Sequence, residues 1–290
     1  MKSQQIGIVG IGLMGHGIAR NILNAGWQLS CLDHPGNQPV DDLLSAGATL
    51  VGTGRALATR AEILIICVTG SPQVEDILTR SDGILAGIRP GTLVIDCSTA
   101  IPDETTRMAR LVTNAGGSFI DAPMTRTPKE AEEGRLNLIV GASETDFNAA
   151  LPLLQCFAEN IFHAGPVSSG HKLKLLHNYV SLGFSAVLGE AAACASRSGI
   201  EASVFIDVLA RGGGAGVVLD RLKPYVLDGD VSGMRFSIAN AHKDTSYYVA
   251  MAEALDAEAS TARAIRDLYA RTEAGGKGAA FVPEISRILA

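Results

Sequence analysis

The sequence predicts a doubly wound α/β domain over residues 1–165, followed by an all-helical domain over residues 166–290. Two observations predict it. Short, nearly continuous apolar runs alternate with helical patterns in the first part, as is typical of parallel strands buried on both faces. After Pro166 no strand pattern is found, and apolar residues recur at three- and four-residue spacing. A chain of 290 residues is long enough for two domains.

The predicted strands of the first domain are short apolar segments bounded by turn residues. In chain order they are Gln5–Gly10, Gln28–Asp33, Ala48–Val51, Glu62–Val68, Thr92–Asp96, Ser118–Asp121, Leu136–Gly141 and Ile161–Ala164. Helices are expected between them, for example Met14–Ala25 and Pro72–Leu78.

The second domain is predicted to start with a long helix, from about Ser168 to Ser196, with Gly199 as its stop signal. Further helical patterns follow, and a last short helix is expected near Pro283. They cover Ala202–Ala210, Lys223–Leu227, Ile238–Leu255 and Ser260–Ala274.

Composition excludes several classes of protein. Hydrophobic residues make up 47% of the chain and charged residues 19%, which is enough apolar material for a sizeable core and excludes disorder as the main state. The net charge of −6 argues against a nucleic-acid-binding protein, which usually needs a basic face. No uninterrupted apolar run approaches the ~18 residues of a membrane span, so we expect no membrane association.

The cysteines and the N-terminal segment indicate a cytoplasmic protein. The chain has five cysteines, an odd number, and none has CxxC spacing, so neither a zinc site nor a disulfide framework is expected. Met1–Gln5 carries one basic residue and runs directly into a predicted strand, which does not fit a secretory signal. No metal site is predicted.

A glycine motif joins the first strand to the first helix. Gly10-Ile11-Gly12-Leu13-Met14-Gly15 has the form GxGxxG. In this context the first glycine permits a tight turn, the second lets a pyrophosphate approach the backbone, and the third lets helix and strand pack closely. The unpaired N–H groups at the helix N-terminus favour phosphate. The motif therefore predicts a Rossmann-type dinucleotide-binding domain.

The end of the second strand predicts NAD rather than NADP as the cofactor. Asp33 lies close to the usual distance of about 20 residues from the motif for the acid that binds the adenosine ribose hydroxyls. The residues that follow, His34 to Asn37, include no arginine or lysine to hold a 2′-phosphate, and a carboxylate would repel one.

Five ordered motifs resemble the 3-hydroxyisobutyrate dehydrogenase family of β-hydroxyacid dehydrogenases. The first is the glycine motif with Ala19, Asn21 and Gly26 after it. The others are Asp96–Thr99, Asp121–Pro123 with Gly134 and Val140–Gly141 after it, Gly170–Asn178, and His242–Asp244. The resemblance implies a Rossmann-type domain, a helical domain, and an active site in the cleft between them. It also implies reversible hydride transfer between a nicotinamide cofactor and a short 3-hydroxy acid or its semialdehyde.

Site residues follow from the resemblance. It implies cofactor contacts by Gly10, Gly12, Leu13, Met14, Gly15, Asp33, Val68, Thr99 and Lys243. Lys174 matches the family's catalytic lysine and Asn178 an active-site asparagine. Reduction of an aldehyde by hydride requires a proton, which Lys174 can supply and take back. Asn178 is one helical turn further on, so both side chains share a helix face. Taken alone, a helix lysine is more often a snorkelling surface residue.

The chain departs from the family after Asp121-Ala122-Pro123. Most relatives have Ser-Gly-Gly there, whereas this chain has Met124-Thr125-Arg126-Thr127. A guanidinium binds carboxylate or sulfonate oxygens two at a time, so Arg126 and Thr127 are expected to hold the substrate's acid group. This loop is similar to that of 3-sulfolactaldehyde reductases, which makes 3-sulfolactaldehyde or another short acid aldehyde the leading substrate. The alternative is a loop arginine paired with Glu130, Glu132 or Glu133.

Three further features leave alternatives open. His177 and Ser181 are expected to contact substrate. The alternative for His177 is that it only occupies space in the wall of the site. The glycine-rich segment Arg211–Gly216 fits either an active-site loop or a flexible connector. The resemblance also implies a homodimer or homotetramer.

A reductase of a carboxylate semialdehyde, such as succinic, tartronate or methylmalonate semialdehyde, is the alternative to a sulfonate aldehyde reductase. Two other functions are also considered. An imine reductase of the same architecture would tend to replace Lys174. A non-catalytic NAD-binding protein would not need Lys174, Asn178 and Lys243 together.

Overall fold

The computed structural model describes residues 4–290, and these form two compact units divided between Lys174 and Leu175. The start of the N-terminal segment considered above, residues 1–3, lies outside the described residues. The division of the chain at residues 165 and 166 stays a prediction.

The first unit is built around one nine-stranded sheet. Its strands are β1 (Gln5–Val9), β2 (Gln28–Leu32), β3 (Thr49–Val51), β4 (Ile63–Ile66), β5 (Leu93–Asp96), β6 (Ser118–Asp121), β7 (Met124–Thr125), β8 (Leu136–Gly141) and β9 (Ala158–Gly165). Each predicted strand has a counterpart here, most with ends within two residues of the prediction. The sequence did not predict β7, because a two-residue strand leaves no periodic pattern.

Strand order identifies the doubly wound topology. Neighbouring strands run β3-β2-β1-β4-β5-β6, and all of these pairs are parallel. The order reverses between β1 and β4, and in such sheets ligands bind at that reversal, beyond the carboxyl ends of the strands. Beyond β6 the sheet is mixed, because β8 is antiparallel to β6 and β7 and parallel to β9. The predicted fold class is confirmed.

Seven helices connect the strands of this unit. They are α1 (Leu13–Asn24), α2 (Asp41–Ser45), α3 (Gly54–Arg60), α4 (Ser71–Thr79), α5 (Pro102–Asn114), α6 (Pro128–Glu132) and α7 (Glu144–Leu154), with a short 3-10 turn at Ile84–Ala86. Thr53 and Ser143 cap α3 and α7 by accepting a backbone hydrogen bond with their side chains.

The core of the first unit lies on both faces of the sheet, which explains the apolar strand sequences. Ile6 and Ile8 of β1 pack into one cluster, whereas Val9 packs into the cluster on the opposite face. Ile65 and Ile66 of β4 divide in the same way and are fully buried. Burial of one such side chain stabilises the fold by about 1.5–3 kcal/mol.

The second unit is helical. Helix α8 (Ser169–Arg197) begins in the first unit and continues into this one. It is followed by α9 (Ala202–Ala210), α10 (Val217–Asp228), α11 (Ile238–Ala254), α12 (Ser260–Thr272) and α13 (Ile285–Ile288). The predicted helix at Lys223–Leu227 is longer than expected, because α10 begins before the apolar pattern becomes regular. Tyr269 is buried at the centre of its core and donates to the Leu182 carbonyl oxygen at 2.8 Å.

Helix α8 is the one helix within residues 4–290 that is long and apolar enough to cross a membrane by length and composition alone. This differs from the expectation of no membrane span, because His171, Lys172 and Lys174 interrupt the apolar residues near the start of the helix. Half of its most apolar window is buried inside the protein. Core helices of water-soluble proteins meet the same criterion, so the helix carries no argument for a membrane.

Candidate active site

The glycine-rich turn after β1 uses its three glycines in three different ways. Gly10 has φ 88°, and a Cβ atom there would lie 2.1 Å from the carbonyl oxygen of Cys67. A Cβ atom on Gly15 would lie 1.9 Å from the carbonyl oxygen of Gly10, so α1 can pack against the turn only without a side chain. Gly12 faces open space, with no atom within 4 Å of the position of a Cβ. That open space beside exposed backbone suits a pyrophosphate.

Helix α1 begins directly after this turn and receives no side-chain cap. Gly12 is the N-cap residue, and no acidic residue lies in the first turn, an arrangement that suits an anion at the helix N-terminus. Leu13 is exposed and Met14 is half-buried against the core. The predicted cofactor residues 10 to 15 therefore form one continuous turn and helix start.

The side chain of Asn37 connects this turn to the end of β2. Its Oδ1 accepts a hydrogen bond from the Ile11 N–H at 3.2 Å, and its Nδ2 donates to the Leu32 carbonyl oxygen at 3.0 Å. The N–H of Gln38 also donates to the Ile11 carbonyl oxygen at 2.7 Å. The sequence analysis treated Asn37 only as a residue that could not hold a phosphate, because a contact of this kind leaves no local pattern.

The remaining cofactor residues of the first unit lie at the carboxyl ends of neighbouring strands. Asp33 follows β2 and is exposed, while Val68 and Thr99 follow β4 and β5 and are half-buried. The Val68 N–H donates to the Ser98 hydroxyl at 3.1 Å, which ties the ends of β4 and β5 together. The strand ends of β1, β2, β4 and β5 thus bring the predicted cofactor residues to one edge of the sheet, at the reversal of strand order.

The predicted proton donor, Lys174, is buried. Its side chain is only 8% exposed, and its Nζ donates to the Met124 carbonyl oxygen at 2.7 Å. Met124 begins β7 and follows the Asp121-Ala122-Pro123 motif, so two predicted motifs meet at this contact. Lysine is almost never buried unless it has a partner, and such a residue beside a ligand surface is a candidate for chemistry.

Arg126 and Thr127, the predicted acid-binding residues, lie in the same segment and make local contacts. Arg126 has φ 81°, and its Nη1 donates to the Arg135 carbonyl oxygen and pairs with the Glu159 carboxylate. Thr127 precedes α6, and both its N–H and its hydroxyl donate to Glu130, at 2.9 Å and 2.5 Å.

In the second unit, Asn178 is fixed by an acid that the sequence analysis gave no role. Asn178 is buried, and its Nδ2 donates to Oδ2 of the buried Asp244 at 2.6 Å. The neighbouring Lys243 lies 3.1 Å from the other oxygen of Asp244. His177 Nδ1 lies 3.0 Å from the Asn178 Oδ1, so its ring can donate to that amide. Ser181 is half-buried, and its carbonyl oxygen accepts from the Ser185 hydroxyl at 2.9 Å.

A buried polar network surrounds the start of α8. The Asp121 carboxylate accepts hydrogen bonds from the N–H groups of Ser168 and His171, at 2.6 Å and 2.7 Å. The His171 ring lies between the Thr105 hydroxyl and the Ser98 carbonyl oxygen, at 2.7 Å and 3.1 Å. Burial raises the pKa of Asp121, and the charge of His171 and the two N–H groups oppose that shift. The sequence signal was an acid ending an apolar strand, Ser118–Asp121.

No group of three or more potential metal ligands of the His, Cys, Asp or Glu type occurs within residues 4–290. The five cysteines are free thiols.

Comparison with protein families matches both parts of the chain. Residues 5–165 match the NAD-binding domain of 6-phosphogluconate dehydrogenase, and residues 168–288 match the NAD-binding domain of NADP-dependent 3-hydroxyisobutyrate dehydrogenase. The chain belongs to the 3-hydroxyisobutyrate dehydrogenase family. The resemblance inferred from the five sequence motifs is thereby confirmed.

Individual relatives have the same character. The chain is 32% identical to the NAD-dependent L-serine dehydrogenase of Pseudomonas aeruginosa, over 77% of this chain and 74% of that protein. It is 30% identical to the 3-sulfolactaldehyde reductase of Escherichia coli, over 94% of this chain and 91% of that protein. The crystal structure of 3-hydroxyisobutyrate dehydrogenase from Salmonella typhimurium is 27% identical, with a TM-score of 0.87 over 99% of this chain and all of that one.

This member of the 3-hydroxyisobutyrate dehydrogenase family is an oxidoreductase that uses a nicotinamide dinucleotide, and its relatives act on small hydroxy acids or their aldehydes. The predictions of an enzyme and of a nicotinamide cofactor are confirmed.

Proposed function

We propose that the protein is an NAD-dependent reductase of a short acid aldehyde, with 3-sulfolactaldehyde as the leading substrate and a carboxylate semialdehyde as the alternative. The observation that carries the proposal is the buried amine of Lys174 on the Met124 carbonyl oxygen. A lysine amine held in one position, out of bulk water, suits the transfer of a proton to a substrate oxygen.

The residues of the first unit fit a dinucleotide. The open space at Gly12, the uncapped start of α1 and the exposed carboxylate of Asp33 would hold the pyrophosphate and the adenosine ribose. Met14, Val68 and Thr99 would contact the rest of the cofactor, and a contact by Lys243 stays an expectation from the sequence. When bound, the nicotinamide supplies the hydride in reduction and accepts it in oxidation.

Lys174 moves the proton in this proposal. In reduction, its Nζ donates a proton to the aldehyde oxygen, which becomes the hydroxyl of the product. In oxidation, the same nitrogen takes the proton back. Of the three N–H groups of an ammonium, one donates to the Met124 carbonyl oxygen and holds the amine in place. The side-chain amide of Asn178, fixed by Asp244, would orient the substrate oxygen.

Recognition of the acid group falls to Arg126 and Thr127, and substrate contacts by His177 and Ser181 stay expectations from the sequence. The support for a sulfonate is the Arg126-Thr127 pair, which resembles the loop of 3-sulfolactaldehyde reductases, together with the 30% identity to such an enzyme. In the protein without ligand, Arg126 is paired with Glu159. Binding of an anion would replace or share that partner.

Two coarser features complete the proposal. A homodimer or homotetramer is supported by apolar side chains exposed on the second unit, at Val180 and Val187 of α8 and Val204 and Val208 of α9. Light scattering coupled to gel filtration measures the number of chains.

We also propose the cytoplasm as the location of the protein, because all five cysteines are free thiols.

The test is a steady-state assay of NADH and NADPH oxidation with 3-sulfolactaldehyde and with succinic, tartronate and methylmalonate semialdehydes. We expect the highest kcat/KM with NADH and an acid aldehyde. Lys174→Ala should reduce kcat by about 10²–10⁴-fold with little change in NADH affinity. Lys172→Ala, which removes an exposed lysine of the same helix, is the matched control. Full activity of the Lys174 variant would remove this residue from the mechanism.

A further inference from the structure

Asp121 holds the start of the helix that carries Lys174. Asp121 is fully buried at the end of β6, and its two carboxylate oxygens accept the N–H groups of Ser168 and His171 separately. Ser168 immediately precedes α8 and has φ 80°, a left-handed conformation that residues with a side chain rarely adopt. The carboxylate therefore stabilises a turn that the backbone alone would not favour.

The close approach of helix and strand depends on a glycine. A Cβ atom on Gly170 would lie 2.3 Å from the Ile139 carbonyl oxygen and 2.8 Å from Asp121 Oδ2. Without a side chain at Gly170, the start of α8 packs directly against the sheet. This brings its backbone N–H groups close enough to Asp121 to form short hydrogen bonds with the carboxylate.

The side chain of His171 also holds this turn, and its Nδ1 lies 3.7 Å from Asp121 Oδ2. Because a carbonyl oxygen can only accept, the His171 Nε2–H donates to Ser98, and Nδ1 lies 2.7 Å from the Thr105 hydroxyl. His171 is fully buried and Thr105 nearly so. The first turn of α8 is thus attached to β6, to the segment after β5 and to α5.

The segment that contains Asp121 also contacts Lys174 itself. Met124, three residues after Asp121, accepts the hydrogen bond from the Lys174 Nζ. One short stretch of chain therefore contacts α8 at two points, at the backbone of its first turn and at the amine one turn later. Two such contacts define where the amine lies along the helix axis.

We propose that Asp121 is a positioning residue that sets the location of the Lys174 amine, with the ring of His171 and the hydroxyl of Thr105 completing the attachment. The inference rests on the proposed function, because the position of the amine affects the rate only if Lys174 transfers a proton to substrate. Asp121 does not touch substrate in this proposal; it acts through the backbone of α8. Displacement of a reacting group by about 1 Å can cost about 10²-fold in rate.

The first test compares Asp121→Asn with wild type in the NADH assay, using the aldehyde of the panel above with the highest kcat/KM. An amide can accept one of the two N–H groups, but its NH₂ opposes the other. We expect kcat to fall about 10–100-fold while NADH affinity changes less than about 2-fold. The double variant Asp121→Asn/Lys174→Ala should be no slower than Lys174→Ala alone, since both changes remove the same contribution. Additive losses would contradict a role through Lys174.

A second readout does not depend on turnover. Reductive methylation at pH 8, followed by mass spectrometry, measures the reactivity of Lys174 relative to the exposed Lys172 in the same peptide. We expect that ratio to rise at least about 5-fold in Asp121→Asn, because an amine that loses its fixed position becomes accessible. Ser143→Ala removes the cap of α7, where Ser143 accepts from the Asp146 N–H, and should change neither the ratio nor kcat.

The outcomes separate the two proposals. Normal kcat and a normal labelling ratio in Asp121→Asn, with Lys174→Ala inactive, would overturn the inference and leave the proposed function intact. Full activity of Lys174→Ala would overturn the proposed function, and the labelling ratio would still decide whether Asp121 positions the amine.

If Asp121→Asn does not fold, Thr105→Val removes only the hydroxyl beside His171. A loss of kcat of about 3–10-fold is then expected, and unchanged kcat and labelling would reject the inference.

Discussion

The Arg126 guanidinium and the Glu159 carboxylate form an ion pair in the first unit, and Arg126 also donates to the Arg135 carbonyl oxygen. If Arg126 holds the acid group of the substrate, Arg126→Ala should raise KM for an anionic aldehyde about 10–100-fold with a smaller change in kcat, because charge-assisted hydrogen bonds are worth about 1.5–3 kcal/mol. Initial-rate kinetics measures this. Arg135→Ala, which removes the arginine paired with Glu133, is the matched control. An unchanged KM in the Arg126 variant would contradict the anchoring role.

Glu159 competes with an anionic substrate for the same guanidinium. We therefore expect Glu159→Gln to lower KM, by no more than about 5-fold, because a partly exposed ion pair is worth at most about 1 kcal/mol. Kinetics on a neutral aldehyde of similar size supplies the control, since its KM should not respond. A higher KM for the anionic aldehyde would mean that Glu159 holds Arg126 in its binding position.

Asp33 should decide the preference for NAD. Its exposed carboxylate at the end of β2 would hydrogen-bond ribose hydroxyls and repel a 2′-phosphate. We expect Asp33→Asn to lower the ratio of the Kd for NADPH to the Kd for NADH by about 10-fold. Fluorescence titration measures both constants. His34→Ala should have little effect, because the His34 Nδ1 accepts from the Gly36 N–H within the turn. A ratio unchanged in the Asp33 variant would place the determinant elsewhere.

Two glycines near the start of α1 should respond differently to alanine. A Cβ atom on Gly17 would lie 2.6 Å from the carbonyl carbon of Ala131 on α6, so Gly17→Ala should lower the free energy of unfolding by about 1–3 kcal/mol. Gly12→Ala meets no atom within 4 Å, so it should cost at most about 1 kcal/mol while weakening NADH binding more than about 10-fold. Urea denaturation and fluorescence titration separate the two effects. Equal losses of stability would argue against the close contact at Gly17.

Stability should depend on pH through Asp42. The hydrogen bond from Arg20, at 2.8 Å, is the largest cause that holds the pKa of the Asp42 carboxyl at about 2, with a smaller contribution from His16. Because the pKa is lowered in the folded protein, the stabilisation is present above the ordinary value of 3.8 and is lost as pH falls from there through about 2. Asp42 is partly exposed, so Asp42→Asn should lower the free energy of unfolding by no more than about 1 kcal/mol at pH 7.

That difference should shrink between pH 4 and the acid limit of folding. Urea denaturation at pH 7, 4 and 3 measures it, with Asp41→Asn as the control on the same helix. A difference that does not vary with pH would show that Asp42 acts through something other than its charge.

The strands and the glycine turn could be predicted from the sequence because their signals are local. Strands buried on both faces are apolar at every position, and Gly10, Gly12 and Gly15 follow such a strand directly. Contacts between distant segments could not be predicted in the same way. The pairing of Asp121 with the N–H of His171 joins residues 50 positions apart.

Arg126 illustrates the same limit. Its expected alternative partners were the three nearby glutamates, but each of these has another contact. Glu130 accepts from Thr127, Glu132 pairs with Arg20, and Glu133 pairs with Arg135. Arg126 instead reaches Glu159 on β9. The expected type of partner, a glutamate, was correct, but the residue was wrong. The pairing of β8 with β9 brings Glu159, which is more distant in sequence, next to Arg126.

The two hydrogen bonds of Asn37 have a consequence for attempts to redesign coenzyme choice. Because the residues after the second strand contact the adenosine ribose in this fold, a redesign would exchange the loop that follows β2. Here one amide in that loop also holds Ile11 of the glycine turn. A graft that omits this asparagine would loosen the turn as well, so affinity for either coenzyme would fall before any preference could be gained.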